Sequence, residues 1–353
     1  RVWVLHVAEN LYSEMKMSLG GSVKLNHTGV TILVLVCLLT GYLLFPSRPN
    51  QNTIGKNEAI ISLKTLLQTS IRSAIAGGLK VVEVRSHSDL KEGSKGKTKE
   101  GANDPVTDGD MLSHFAMVGV ISEVFPHISI VSEEKPKQPE EEVSYGHVNI
   151  DQETQQINGL QDELVSAKDV LIWIDPLDAT QEYTENLTQY VTTMVCISHN
   201  GRPIIGVIHN PFTRLTAWGW VGKGFSSNLR YNLNKKSTAK KIIVSRSHKG
   251  KVEEIVKSSL GVDWQVVPAG GAGYKTLEVA NGSVDAYVHT TLIKKWDICA
   301  GNAILESMGG EMTTIDGSAI DYSSAEDFKN EGGLLGTLKK NKWILGKFKG
   351  LKL

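Results

Sequence analysis

Val170-Leu171-Ile172-Trp173-Ile174-Asp175-Pro176-Leu177-Asp178-Ala179-Thr180 joins an apolar run to two acids and a hydroxyl. The run reads as a strand buried on both faces. Pro176 has no N–H for a ladder, so the strand is expected to end there, with a helix opening at Asp178 and running through Glu185. In α/β proteins that edge of the sheet is where ligands bind. Asp178 alone would serve as an N-cap, with Gln181 completing a capping box. That leaves Asp175 without a reason. Two acids within one turn suit a hard cation such as Mg²⁺, and the first N–H groups of the helix would face an anion.

Upstream, Ile61, Leu66, Leu67, Ile71, Ile75, Leu79 and Val82 recur at spacings of three and four, which predicts one long amphipathic helix over 58–84. The lysine-rich residues 91–99 read as a solvated loop. A second helix follows from Asp110 to Phe125, with Asp110 in its first turn, where the helix dipole favours a carboxylate. A short strand at 128–132 ends in Glu133-Glu134. Residues 135–168 are polar and acidic without periodicity and read as a flexible surface insertion. Downstream, 191–198 and 203–209 pair as a hairpin across Asn200-Gly201. Strands at 215–221, 241–244, 264–267 and 285–289 follow. Helices fall at 274–279 and 296–308, the second closed by Gly309-Gly310.

Asp110, Glu133, Asp175, Asp178 and Asp297 all fall at element ends, although Asp297 alone would also suit an N-cap. One such acid means little. Five suggest a single pocket, and so many carboxylates do not stay ionised together without cations. A two- or three-metal phosphoester hydrolase fits that pattern.

The chain has 353 residues, enough for one large core or two modest ones, and a net charge of zero, which argues against nucleic acid as a partner. Its cysteines, Cys37, Cys196 and Cys299, do not read as a disulfide framework. Residues 1–28 read as an N-terminal tail, with 1–14, ahead of Met15, set aside from the fold. Residues 29–45 are uncharged and read as an uncleaved transmembrane signal-anchor, followed by a polar stem at 46–57 and a catalytic domain at 58–348.

The joined pattern of residues 173–180, Glu133-Glu134 and Trp296-Asp297-Ile298-Cys299-Ala300-Gly301 resembles the inositol monophosphatase family. The resemblance implies an α/β, layered αβαβα sandwich with Mg²⁺-dependent, lithium-sensitive phosphomonoesterase activity. It assigns two or three Mg²⁺ to Glu133, Asp175, Asp178, Asp297 and the Leu177 carbonyl. Asp110 and Thr180 would orient and deprotonate the attacking water, and the Ala179 and Thr180 N–H groups would hold the phosphate. Ser245-Arg246-Ser247-His248 and the segment from Gly270 to Lys275 look like the nucleotide-binding loops of one branch of the family, whose substrate is adenosine 3′,5′-bisphosphate. Ser245, His248, Gly271 and Lys275 would then hold the AMP moiety. Combined with the anchor, this implies a Golgi membrane protein of type II with a lumenal catalytic domain; a homodimer is compatible with it. Two other readings remain: an inositol phosphate phosphatase with the same metal site, and a membrane-tethered nucleotide-binding protein without catalysis.

Overall fold

The structure is a computed structural model that describes residues 59–348 apart from 88, 98–100, 102, 136–147, 231–239, 247–250 and 339–340. The expected tail, span and stem lie outside the described residues; among the described residues no helix is long and apolar enough to cross a membrane.

The described chain opens on a short strand, β1 (Ile60–Ser62), and turns directly into helix α1 (Leu63–Arg85). Ser62 marks the boundary, its hydroxyl accepting the Thr65 N–H at 3.0 Å. The helix expected from residue 58 is therefore shortened. Its buried stripe also differs from the one expected. Gly77 and Gly78 occupy packed positions, and a Cβ on Gly77 would meet Met117 Cγ at 2.5 Å. The stripe runs on to Val81 and Val84, leaving Leu79 and Val82 52% and 36% exposed. Apolar spacing cannot register a glycine used as a contact.

A hairpin of β2 (Gly93–Lys97) and β3 (Asn103–Val106) follows where a solvated loop was expected. Helix α2 (Asp108–Val124) is closed at its start by a capping box between Thr107 and Asp110, and leads to β4 (Ser129–Ser132). The segment expected as an irregular insertion contains helix α3 (Asp151–Asn158) and β5 (Leu164–Ser166), which pairs with β1. Ile157 anchors it by packing fully buried among the residues of α1. A single apolar anchor on an eight-residue polar helix leaves little periodicity to read.

The central strand β6 (Val170–Asp178) is buried along its whole length, and α4 (Thr180–Thr184) follows it. β7 (Thr192–His199), β8 (Arg202–Asn210), β9 (Leu215–Trp220) and β10 (Gly224–Phe225) complete a six-stranded sheet of order β10-β9-β8-β7-β6-β4. The expected hairpin turns at Asn200 and Gly201, both with positive φ, 50° and 76°. The chain then alternates through β11 (Lys241–Ser245), α5 (Val252–Leu260), β12 (Gln265–Ala269), α6 (Ala272–Ala280) and β13 (Ala286–His289). Helix α7 (Lys295–Ser307), β14 (Glu311–Thr313), β15 (Leu334–Thr337) and α8 (Asn341–Phe348) close the fold. The second sheet has the order β12-β11-β13-β15-β14.

Alternation along β6 builds the layers. Val170, Ile172 and Ile174 face α1 and α2, in one core with Leu66, Ile71 and Met117. Leu171 and Trp173 face the opposite way, into a second core with α6, α7 and one face of the second sheet. The other face of that sheet packs on α5 and α8 through Val244, Val256 and Ile344. The result is the expected αβαβα sandwich. Helix α7 sits unusually close to the first sheet: a Cβ on Gly206 of β8 would meet the Ala300 carbonyl oxygen at 2.1 Å.

One sequence expectation is overturned outright. Cys196 of β7 and Cys299 of α7 form a disulfide across the central core, with Cα atoms 5.6 Å apart at a sequence separation of 103. Three cysteines with so wide a spacing carry no framework pattern, so counting them could not find it.

Candidate active site

The site is built on a defect in β6. Asp175 pairs with Met194, and Asp178 pairs with Thr192, so one extra residue is accommodated on the β6 side between them. This is a bulge, and Pro176 sits inside it, where no ladder N–H is required. The strand therefore does not end at Pro176 as expected. It passes through the bulge to Asp178, and the helix starts only at Thr180. Ala179 turns the corner in the left-handed region, at φ 73°, an uncommon conformation for a residue with a Cβ. The predicted capping box of Asp178 and Gln181 does not form, because Ala179 holds the cap position. The bulge is fixed from within: Leu177 N–H donates to Asp175 Oδ1 at 3.1 Å, and Ser113 Oγ donates to the Pro176 carbonyl at 2.6 Å.

Three of the five sequence-predicted acids converge. Carboxylate oxygens of Glu133, Asp175 and Asp297 lie within 4.8 Å of one another. Glu133 follows β4, and its N–H continues that strand's pairing by donating to the Ile174 carbonyl at 3.1 Å. Asp297 is not the N-cap of α7 but its third residue, accepting the Lys294 N–H at 3.2 Å. Burial, then Glu133, then the neighbouring aspartates hold the carboxyls of Asp175 and Asp297 well above the usual range. A hard divalent cation relieves that repulsion, and an all-oxygen donor set of this kind suits Mg²⁺.

Asp178 lies beside this group but is tied elsewhere. Its Oδ1 accepts the Ala272 N–H at 3.1 Å, and its Oδ2 accepts the Gly273 N–H at 2.8 Å and the Thr192 hydroxyl at 3.2 Å. It therefore caps the start of α6 from another part of the chain. The glycine loop makes this approach possible. A Cβ on Gly271 would meet the Tyr190 carbonyl oxygen at 2.6 Å and Asp178 Oδ2 at 2.9 Å, and Gly271 also has a φ of 62°. Lys275 is 3% exposed, with its ammonium donating to the Gly271 carbonyl and lying 5.2 Å from the Tyr287 ring centroid. Burial pushes its pKa down to about 8 against the pull of Asp178, Glu182 and Asp297. Gly271 and Lys275 therefore both lie beside Asp178. Ser245 ends β11 in a buried position, and His248 lies outside the described residues.

Asp110 and Thr180 meet as expected. Thr180 Oγ1 lies 3.0 Å from Asp110 Oδ1 and 3.1 Å from the Leu177 carbonyl, two acceptors between which its one proton chooses. Asp110 Oδ2 accepts both the N–H and the hydroxyl of Thr107 at 2.7 Å. Burial pushes Asp110 up to about 6, opposed by Lys95 and the Thr107 hydroxyl.

Several participants escaped the sequence reading. Lys95, assigned to a solvated loop, sends its ammonium to Glu133 at 2.8 Å and also bonds Glu134. Burial works against its charge, yet Glu133 and Glu134 raise its pKa above the usual lysine value. Burial and Glu133 push Glu134 up to about 7. Arg246 pairs with Glu185 at 2.6 Å and approaches the buried Glu182 at 3.5 Å, joining α4 to the end of β11. Gly93-Ser94-Lys95-Gly96-Lys97 is a weak strand signal, and nothing in the local sequence points Lys95 at acids almost forty residues away.

The Inositol monophosphatase family model matches residues 62–349. Inositol monophosphatase 3 of Danio rerio is 43% identical over 324 residues, covering 90% of this chain and 93% of that one. The Golgi-resident adenosine 3′,5′-bisphosphate 3′-phosphatase of Mus musculus is 43% identical over 294 residues, 82% of this chain and 81% of that one. Among solved structures, CysQ from Bacteroides thetaiotaomicron superposes with a TM-score of 0.58 at 20% identity, covering 78% of this chain and 98% of that one. An inositol monophosphatase from Anabaena gives a TM-score of 0.58 at 22% identity, with coverages of 82% and 97%. Layers, acid cluster and relatives agree: the chain belongs to the inositol monophosphatase family.

Proposed function

We infer that the protein is a Mg²⁺-dependent phosphomonoesterase that removes the 3′-phosphate of adenosine 3′,5′-bisphosphate, giving AMP and phosphate. The observation that carries the chemistry is the convergence of Glu133, Asp175 and Asp297 beside the Asp110–Thr180 pair. The substrate follows the bisphosphate phosphatases among the relatives at 43–44% identity.

Glu133, Asp175 and Asp297 would hold Mg²⁺, with the Leu177 carbonyl and Asp178 completing the set. When bound, the ions polarise the phosphate and lower the pKa of a coordinated water. Thr180, donating to Asp110 Oδ1, would accept a proton from the attacking water as its own passes to that carboxylate. Asp110, raised to about 6 by burial, is a base matched to near-neutral pH. Thr107 fixes that carboxylate through its other oxygen. The Ala179 and Thr180 N–H groups would receive the phosphate as α4 begins, and Ser245 and His248 would meet the nucleotide. Capture of an inositol phosphate is the second reading. It is favoured by the burial of Lys275, whose ammonium donates to the Gly271 carbonyl.

Residues 29–45 would anchor the protein in the Golgi membrane with the catalytic domain in the lumen. The Cys196–Cys299 disulfide suits that oxidising compartment. Phosphate release from adenosine 3′,5′-bisphosphate, its 5′-phosphosulfate analogue, inositol 1,4-bisphosphate and inositol 1-phosphate, with and without Mg²⁺, tests the assignment. The adenosine bisphosphate should be hydrolysed fastest. Preference for either inositol phosphate would overturn the substrate, and activity undiminished by chelation would overturn the metal.

A further inference from the structure

The disulfide lies close to the acid cluster along both of the chains that it joins. Met194 of β7 is the ladder partner of Asp175, and Cys196 is two residues further along that strand. Asp297 is in the first turn of α7, and Cys299 is two residues further along that helix. The bond therefore connects the sheet that carries Asp175 to the helix that carries Asp297, within two residues of each ligand or its ladder partner. Both cysteines are buried, at 1% and 0% exposure. Close packing acts in the same direction at two further places. The Ala300 carbonyl lies where a Cβ of Gly206 would stand, and Ser307 and Ile304 crowd the corresponding position of Gly219. Packing opposes approach of α7 toward the sheet beyond this contact, whereas a covalent bond also opposes its withdrawal. Asp297 rides on that helix, so its distance from Asp175 follows the seating of α7 on the sheet.

We propose that the Cys196–Cys299 disulfide is a positioning element of the metal pocket, holding Asp297 at binding distance from Asp175. Both cysteines are then positioning residues for a cation, in addition to any contribution to stability. The proposal rests on the reading of Glu133, Asp175 and Asp297 as cation ligands.

The test measures Mg²⁺ binding by titration calorimetry on the full-length protein, with peptide mapping under non-reducing conditions to establish the bond. Oxidised wild type is compared with Cys196→Ala/Cys299→Ala and with phosphine-reduced wild type, all well below their melting temperatures. Loss of the bond should weaken Mg²⁺ binding roughly tenfold or more, the range seen when supports of metal ligands are removed. Circular dichroism should remain native. Unchanged Mg²⁺ affinity with a lowered melting temperature would assign the bond to stability alone and overturn the proposal. Free thiols at both Cys196 and Cys299 in the wild type would overturn it too. So would unfolding of both the variant and the reduced protein, since the bond would then hold the core as a whole. Failure of oxidised wild type to bind Mg²⁺ would be a distinct result, refuting the ligand reading itself.

Discussion

Lys95 Nζ lies 2.8 Å from Glu133 Oε1, so an ammonium carried on a surface hairpin reaches into the carboxylate cluster. It supplies one positive charge where the pocket is otherwise strongly negative, and it shares Glu133 with any cation bound there. Lys95→Gln should therefore tighten Mg²⁺ binding severalfold, because a competing charge is removed while Glu133 remains. Calorimetric titration checks this. Weaker binding in the variant would show that Lys95 orders Glu133 for the metal instead of competing with it.

Asp178 is held by two N–H groups at the start of α6 and by Thr192, and so has both a structural and a chemical role to lose. Asp178→Asn keeps the size but removes the charge and one acceptor. The lost acceptor should cost about 1–2 kcal/mol of stability, measured by urea unfolding. Turnover should fall by orders of magnitude if the carboxylate also assists the cation. Near-normal turnover with only the stability loss would leave Asp178 as a helix cap.

His248 and Lys275, assigned together to the nucleotide, should now separate. Lys275 is buried beside Asp178, so Lys275→Ala should depress hydrolysis of adenosine 3′,5′-bisphosphate and of a small generic phosphomonoester alike. His248→Ala should raise KM for the bisphosphate strongly and leave the generic substrate nearly unchanged. A selective loss in Lys275→Ala would show that its ammonium reaches the ligand.

The central strand, the hairpin at Asn200-Gly201 and the acids at element ends were legible because each depends on local chemistry. An apolar run reports burial, a turn pair reports φ, and an acid after a strand reports a site. What stayed hidden depends on distant chain. Gly77 and Gly206 are contacts made by the absence of a side chain, which hydrophobic periodicity counts as gaps. Pro176 looks like a terminator because a bulge cannot be foreseen from one strand without its partner. The sequence also could not distinguish a glycine loop that approaches a ligand from one that approaches Asp178, since both need the same missing Cβ.

Gly206 offers a direct check on the seating of α7. A methyl group there would stand 2.1 Å from the Ala300 carbonyl oxygen, and that neighbour is backbone, unable to rotate away. Gly206→Ala should cost roughly 3 kcal/mol or more, at the upper end of overpacking effects. A urea midpoint within error of wild type would mean that α7 can lift from the sheet without penalty.

His209 sets a pH dependence of stability. Its ring is 5% exposed, with Nδ1 2.9 Å from Thr216 Oγ1, and burial pushes its pKa down to about 4 from an ordinary 6.5. Between those values the unfolded chain binds a proton that the folded one resists. Its contribution is therefore intact above pH 6.5, declines as pH falls, and is fully lost below pH 4. The whole excursion amounts to about 3 kcal/mol at 1.36 kcal/mol per pKa unit. His114 is also lowered to about 4 by burial and acts in the same direction, whereas the raised carboxyls of the acid cluster act in the opposite one. The comparison that isolates His209 is thus the difference between wild type and His209→Gln across that range. The wild-type advantage, measured by urea unfolding, should shrink steadily from pH 7 to pH 4. A difference independent of pH would mean that His209 takes up its proton in the folded state as readily as in the unfolded one.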